Sequence, residues 1–366
     1  MPSIVFVTAP VVLDRSSRIP DGFVPRYRHA MDSIARIAEL HAMAPAHLSD
    51  PTFLGQLDDI DPDLVIAPAY LGLTEHTALT SRWRTILLIE ERFPSAVEWA
   101  ALPLPTRARV TLGRERRRRS FVPPVRAVII NESERRWAKS LLPRTPIDTV
   151  PLVIDDEYWS EPVAPYPLPS SILAFIVGSL ERESNVRDIA LFAASLAGNA
   201  GGNRPAVAVA SASIQPELFQ AGIERGEILW LGKVEDVRSF YQSAPVVVVP
   251  TFHVPGTKST ILQAWAAGRP VVTSPMAAAS VGGTHELSLL IGDTHQAMAD
   301  MAMDLAARPD LQRRLIDGGH SRLDAFASDL VARCWTETVH RSLLDRREPP
   351  SWTRDTVARM KAHFSD

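Results

Sequence analysis

The sequence predicts an α/β protein made of two doubly wound halves that face each other across a cleft. Three observations carry this. Strand-length apolar runs recur along the chain with segments of helical periodicity between them, the alternation that gives a parallel sheet covered on both faces. The alternation stops once, in a stretch with prolines at 162, 165, 167 and 169, and then restarts. The 366 residues also exceed the ~250–300 at which a single core stops growing.

In chain order, Ile4–Thr8 is the first strand, followed by a polar loop, Asp14–Pro25. Helical periodicity runs over Arg26–His41, where Met31, Ile34, Ile37, Ala38 and Leu40 fall near one face. Asp63–Pro68, Thr85–Ile89 and Ala127–Ile130 read as buried strands, and Val150–Ile154 as a further short one. Asp155–Pro169 reads as a linker. The second half repeats the pattern with strands at Ile172–Val177, Ala206–Ala210, Ile228–Leu231, Val246–Pro250, Pro270–Thr273 and Leu287–Ile291. Its helices are Val186–Leu196, Val237–Ser243, Ser259–Ala267 and Thr294–Ala307, with Gly268 placed as a left-handed cap. Leu311–Arg347 has helical character, with a break expected at Gly318-Gly319. The expected organisation is an N-terminal domain 1–155, a linker 156–170, a C-terminal domain 171–320 and closing helices 321–366. A ligand belongs where the carboxyl ends of the strands meet the cleft.

Composition excludes several classes. The net charge of −3, from 39 basic and 42 acidic residues, supplies no global basic field for nucleic acid. The single cysteine, Cys334, excludes an intramolecular disulfide or a thiolate metal cluster and fits a reducing cytoplasm. No run approaches the ~18–20 apolar residues of a spanning helix, and Met1–Pro10 reads as a strand rather than a secretory leader. No His/Asp/Glu cluster carries metal-ligand spacing, so neither metal nor cofactor is expected.

One junction points to chemistry directly. Gly256-Thr257-Lys258 lies between a strand and a helix, where free backbone N–H groups and the positive end of a helix dipole attract an anion. Lys258 adds a full positive charge suited to a nucleotide diphosphate. The plainer reading is a tight turn with an exposed lysine.

The surrounding text resembles the donor-binding half of GT-B glycosyltransferases, in particular glycosyltransferase family 4. The resemblance spans Ile172–Ala307. It is carried by Phe175-Ile-Val-Gly-Ser-Leu180 with Asn185, Leu229-Trp-Leu-Gly-Lys-Val234, Ala244-Pro-Val-Val-Val-Val-Pro250, Gly256-Thr-Lys258 and Leu262-Gln-Ala-Trp-Ala-Ala-Gly-Arg-Pro-Val-Val272. Val128-Ile-Ile-Asn-Glu-Ser133 and Val150-Pro-Leu-Val-Ile-Asp155 resemble the end of the family's N-terminal domain, and a last helix near Leu323–Arg347 would cross back to it. The resemblance implies two Rossmann-like domains and transfer of a sugar from a nucleotide-diphosphate donor to an acceptor, with retention of configuration and without metal. It further implies that Gly256, Thr257 and Lys258 hold the diphosphate, that Gln263 meets the ribose, and that Lys233 and Val234 lie near the base; Arg182 or Arg187 is the residue left to reach the diphosphate in place of the family's basic pair. The family typically carries two glutamates at the positions of Pro255 and Gln263 and a basic pair at those of Ser179 and Ser184. Glutamine keeps acceptor capacity; proline cannot replace a carboxylate.

Other candidates have competing readings. His253 precedes the presumed diphosphate site and is placed at the donor sugar, though a lone histidine is more often structural. Glu90, at a strand's carboxyl end, suits acceptor hydroxyls or a structural pair with Arg82 or Arg84. Arg15 and Arg18, with Ser16 and Ser17, suit an acceptor or a solvated loop. Arg114–Arg119 suits peripheral contact with an anionic membrane or a solvated face balanced by nearby acids. The expectation is therefore a hexosyltransferase-like enzyme of unassigned base, sugar and acceptor. A catalytically silent partner subunit, or a GT-B enzyme of different chemistry such as an epimerase or coupling enzyme, stands as the alternative.

Overall fold

A computed structural model of the chain describes residues 1–8, 13, 23–45, 50–68, 73–89, 123–155, 158–159, 161–178, 180, 182–199, 205–253 and 256–345. It divides into two units, Met1–Pro151 with Val331–Asp366, and Leu152–Leu330.

In the first unit, strands β1 (Ser3–Val7), β2 (Glu39–Met43), β3 (Leu64–Pro68), β4 (Thr85–Ile89), β5 (Arg126–Ile129) and β6 (Ile147–Thr149) form a parallel sheet in the order β2-β1-β3-β4-β5-β6. Every residue of β3, β4 and β5 is buried, as expected for strands covered on both faces. Helices α1 (Phe23–Ala35), α2 (Pro51–Ile60), α3 (Leu73–Thr80) and α4 (Arg135–Leu141) connect them. Asp50 starts α2 by accepting the Thr52 N–H at 2.8 Å, with Pro51 in the first turn.

Strands β7 (Ile172–Val177), β8 (Ala206–Ala210), β9 (Ile228–Gly232), β10 (Val246–Val249), β11 (Val271–Thr273) and β12 (Leu290–Ile291) build the second unit's parallel sheet, in the order β12-β11-β10-β7-β8-β9. Its helices are α5 (Glu183–Gly198), α6 (Gln220–Glu224), α7 (Val237–Ser243), α8 (Ser259–Ala266), α9 (Pro275–Ser280), α10 (His295–Ala306) and α11 (Pro309–Leu323). Phe192, Phe219, Val246, Val248, Met298 and Leu305 are among its buried core. The strand order reverses between β7 and β10, the switch point at which doubly wound sheets open a crevice.

The last helix, α12 (Ser328–Leu344), joins the first unit from Val331 onward. Arg126 on β5 donates to both carboxylate oxygens of Asp148, at 3.1 and 3.0 Å, and to Ser342 Oγ at 3.1 Å. Thr338 Oγ1 donates to Asp148 at 3.1 Å, and Arg84 donates to the carbonyls of Ser342 and Asp345 at the end of α12.

Four expectations need correction. The helix expected over Arg26–His41 stops at Ala35, and Glu39–Met43 is a strand pairing with β1. Its sequence has no β-branched residue; the sheet edge, not propensity, makes it a strand. The strand expected at Val150–Ile154 lies earlier, at Ile147–Thr149, where β5 supplies the ladder. The strand expected at Leu287–Ile291 is confined to Leu290–Ile291. Helix α11 runs unbroken through Gly318-Gly319, and the interruption falls at the short helical turn Asp324–Phe326. At Gly268 the left-handed cap is found, with φ 66°.

The proline-dense stretch packs on α7. Tyr166 N–H donates to Ser239 O at 2.9 Å, and Ser243 Oγ donates to Tyr166 O at 2.5 Å. The Arg238 guanidinium, 4.1 Å over the Tyr158 ring, donates to Asp236 at 2.8 Å, Glu161 at 2.9 Å and Tyr158 O at 2.5 Å. These bonds hold the Asp236 carboxyl below the usual carboxylate range.

Candidate functional site

The crevice of the second unit is built from the carboxyl ends of β7 and β10. Thr260 Oγ1, in the first turn of α8, donates to Val177 O at the end of β7 at 3.3 Å, tying the start of α8 to the switch point. Thr273 Oγ1 donates to Val249 O at 2.9 Å, and Ser274 Oγ donates to Thr251 O, so hydroxyls from the next strand fix the exit of β10. Ser274 also caps α9, accepting the Ala277 N–H at 3.3 Å.

Gly256, Thr257 and Lys258 lead into α8. Lys258 is its N-cap residue, without a side-chain capping bond, and the first turn carries no acidic side chain. The first turn of this helix therefore supplies no carboxylate of its own to offset its positive end. The backbone is less open than the sequence suggests. The Lys258 N–H donates to Ser280 Oγ at 3.2 Å and the Ser259 N–H to Thr257 O at 3.2 Å, so two of the N–H groups expected to be free are engaged. The anion attraction then rests more on the dipole and the Lys258 charge.

The remaining candidates are spread over the unit. Arg182 stands at the N-terminus of α5, directly after β7, half-buried and making no capping bond. Arg187 is exposed and paired with Glu183 at 3.0 Å, one turn away on the same helix. His253 is exposed beside Phe252, with ring centroids 6.4 Å apart. Exposed Lys233 and half-buried Val234 follow β9, at the far edge of the sheet. Gln263 is only 3% exposed, and its Oε1 accepts from the Tyr241 hydroxyl on α7 at 3.1 Å. Arg15, Arg18, Glu90, Arg114–Arg119, Pro255 and Ser179 lie outside the described residues.

Two groups at this crevice escape the sequence reading. Asp188 is a buried carboxylate on the apolar face of α5, among Val186, Ile189 and Phe192. It accepts the Phe252 N–H at 3.2 Å and faces His295 Nε2 at 3.0 Å. An acid at a core position of a helical pattern was the available signal. Ser280, which holds the Lys258 N–H, sits on a helix that the sequence reading does not contain.

Among the described residues no group of three His, Cys, Asp or Glu is placed to hold a metal ion. The chain contains two Asp-x-Asp sequences, at 59–61 and 61–63. They serve the turn into β3: Asp61 is the left-handed cap of α2 and Asp63 accepts the Ser3 N–H at 2.8 Å. Also among the described residues, no helix is long and apolar enough to cross a membrane.

Residues 173–308 match the family model Glycosyl transferases group 1. Over those residues the chain is similar to group 1 glycosyltransferases. The match coincides with the segment whose motifs resembled that family. Solved structures give the whole fold. Sucrose-phosphate synthase from Thermosynechococcus elongatus superposes with a TM-score of 0.72 at 13% identity, covering 95% of this chain and 100% of that one. A glycosyltransferase from Rickettsia africae gives 0.64 at 12% identity, with 94% and 99% covered. Anabaena HepE in complex with UDP-glucose gives 0.63 at 10% identity, with 93% and 100% covered. No curated protein matches the sequence. The fold is GT-B, as the sequence predicted, with the group 1 match in the second unit.

Proposed function

We propose that this glycosyltransferase takes its sugar from a nucleoside-diphosphate donor held by the second unit. The acceptor belongs to the first unit, and the reaction retains anomeric configuration, needs no metal and runs in the cytoplasm. The observation that carries the reading is the start of α8 at the β7/β10 switch point: an uncapped helix N-terminus with Lys258 on it and no acid in the first turn. Gly256, Thr257, Lys258 and Arg182 are assigned to the diphosphate, and Lys233 and Val234 to the base. Gln263 is assigned to the ribose. His253 is assigned to the donor sugar.

In the reaction the bond between the anomeric carbon and the diphosphate oxygen breaks, a bond from that carbon to an acceptor oxygen forms, and the acceptor proton passes to the departing diphosphate. The helix dipole and Lys258 stabilise the negative charge that grows on the leaving group. HepE, crystallised with UDP-glucose, makes UDP-sugars the first donors to try. A peripheral membrane contact through Arg114–Arg119 belongs to the same reading and predicts retention on anionic vesicles.

The test is a calorimetric and mass-spectrometric screen of UDP-, GDP-, ADP-, CMP- and dTDP-sugars. Saturable binding with slow hydrolysis of one donor is expected, insensitive to a chelator, with affinity reduced about tenfold or more in Lys258→Ala. Absence of binding at millimolar donor overturns the reading. Binding with neither hydrolysis nor transfer supports a silent partner subunit instead, the outcome that Pro255 in place of a glutamate favours.

A further inference from the structure

One peptide unit in the second domain is held from both sides. The Thr251 carbonyl accepts from Ser274 Oγ, and the N–H of the same peptide, on Phe252, donates to Asp188 Oδ2 at 3.2 Å. This peptide directly precedes His253, the residue assigned to the donor sugar. The orientation of its plane sets the direction in which the chain leaves β10.

Asp188 is an expensive residue to place here. It is 4% exposed, and a buried carboxylate is strongly destabilising unless its oxygens are satisfied. Its second oxygen, Oδ1, faces His295 Nε2 at 3.0 Å. His295 opens α10, and its ring lies edge-on to Phe252 with centroids 4.7 Å apart. One carboxylate thus joins α5, α10 and the loop, while the histidine fixes the carboxylate and packs on the residue being held.

We propose that Asp188 and His295 are a positioning pair that fixes the exit of β10 at Phe252 and so presents His253 to the donor. Asp188 acts through the Phe252 N–H, and His295 acts through Asp188. Neither is assigned contact with the reacting atoms. The proposal rests on the donor-site reading above for its consequence, though not for its geometry.

Two readouts separate these. The first needs no ligand: exchange of the Phe252 amide hydrogen is expected to be slow in the wild-type chain and in Asp188→Asn, which keeps an oxygen to accept it, and fast in Asp188→Ala. The second uses UDP, GDP and ADP as calorimetric probes and whichever sugar donor is turned over. Asp188→Ala is expected to weaken binding and raise the donor KM about tenfold with a smaller change in kcat. Asp188→Asn should recover most of this. His295→Phe keeps the ring against Phe252 and loses only the nitrogen that holds the carboxylate, and should speed Phe252 exchange and weaken binding roughly threefold. If Asp188→Ala does not fold, His295→Phe carries the test. Phe252 exchange as slow in Asp188→Ala and His295→Phe as in the wild-type chain overturns the clamp whether or not any nucleotide binds. Altered exchange with unaltered affinity in a nucleotide-binding protein overturns its role at the donor. Failure of the wild-type chain to bind any probe counts against the donor-site reading, and the exchange result still decides the clamp.

Discussion

Replacing Gly318 by alanine tests the packing of α11 against the rule that alanine favours helices. By propensity alone the change should stabilise a helix interior by about 1 kcal/mol. Packing opposes it. A Cβ at residue 318 would stand 1.8 Å from the Leu287 carbonyl oxygen and 2.7 Å from its carbon. Carbon contacts settle at roughly 3.5–4 Å, so the helix or the 287–288 backbone would have to move by well over 1 Å. That backbone is pinned: Ser288 O accepts from the buried Trp265 indole at 3.0 Å, and Ser288 Oγ accepts the Thr284 N–H at 3.0 Å. Overpacking at about 1–3 kcal/mol, plus about 1 kcal/mol for a disturbed buried hydrogen bond, less the propensity gain, leaves a net destabilisation of about 2 kcal/mol. In a unit of this size that lowers the melting temperature by roughly 4–8 °C, measurable by scanning calorimetry. Gly55 in mid-α2 supplies the control, because a Cβ there meets nothing within 4 Å. Gly55→Ala should be neutral or stabilise by up to ~1 kcal/mol. A rise in melting temperature for both variants would refute the packing argument.

Asp148→Ala should destabilise the first unit by about 3 kcal/mol, because the nearly buried Arg126 guanidinium loses both of its carboxylate bonds. Limited proteolysis should then cleave first around the junction leading into α12. Asp236→Asn should reduce stability at neutral pH in urea unfolding. Since the folded Asp236 carboxyl is held below the ordinary value of 3.8, its contribution is complete above that value and is lost as pH falls through the lower, folded one. The gap between wild type and variant should therefore close in acid; a gap that widens there reverses the assigned sign.

The architecture was legible because most of the strands are buried on both faces, which writes them as unbroken apolar runs such as Leu64–Pro68 and Val246–Val249. The edge strand Glu39–Met43 was not, because a strand with one neighbour is half-exposed and its sequence carries no β signature. The glycines of α11 misled for a related reason. Locally they read as a helix break, whereas Leu287 and Trp265, distant in sequence, require their small size. At the site, Gly256–Lys258 could be placed by its position between strand and helix. The Asp188 clamp could not, since Asp188, Phe252, Ser274 and His295 meet only when four separate elements are assembled.

The first unit draws on both ends of the chain, while the second occupies the continuous stretch between. On the ribosome this reverses the usual precedence in which the earlier domain finishes first. The described strands of the N-terminal sheet are all made once Thr149 is, but Thr338 and Ser342, which close the Arg126–Asp148 cluster, arrive much later. At about 5–20 residues per second the sheet waits roughly 10–40 s, long enough for the second unit to be completed meanwhile. Nascent chains halted before and after α12 should accordingly differ in protease resistance in the first unit alone. A split of the gene at the unit boundary near Pro151 would deprive the N-terminal fragment of its closing helix and leave Arg126 without the Ser342 hydroxyl it binds.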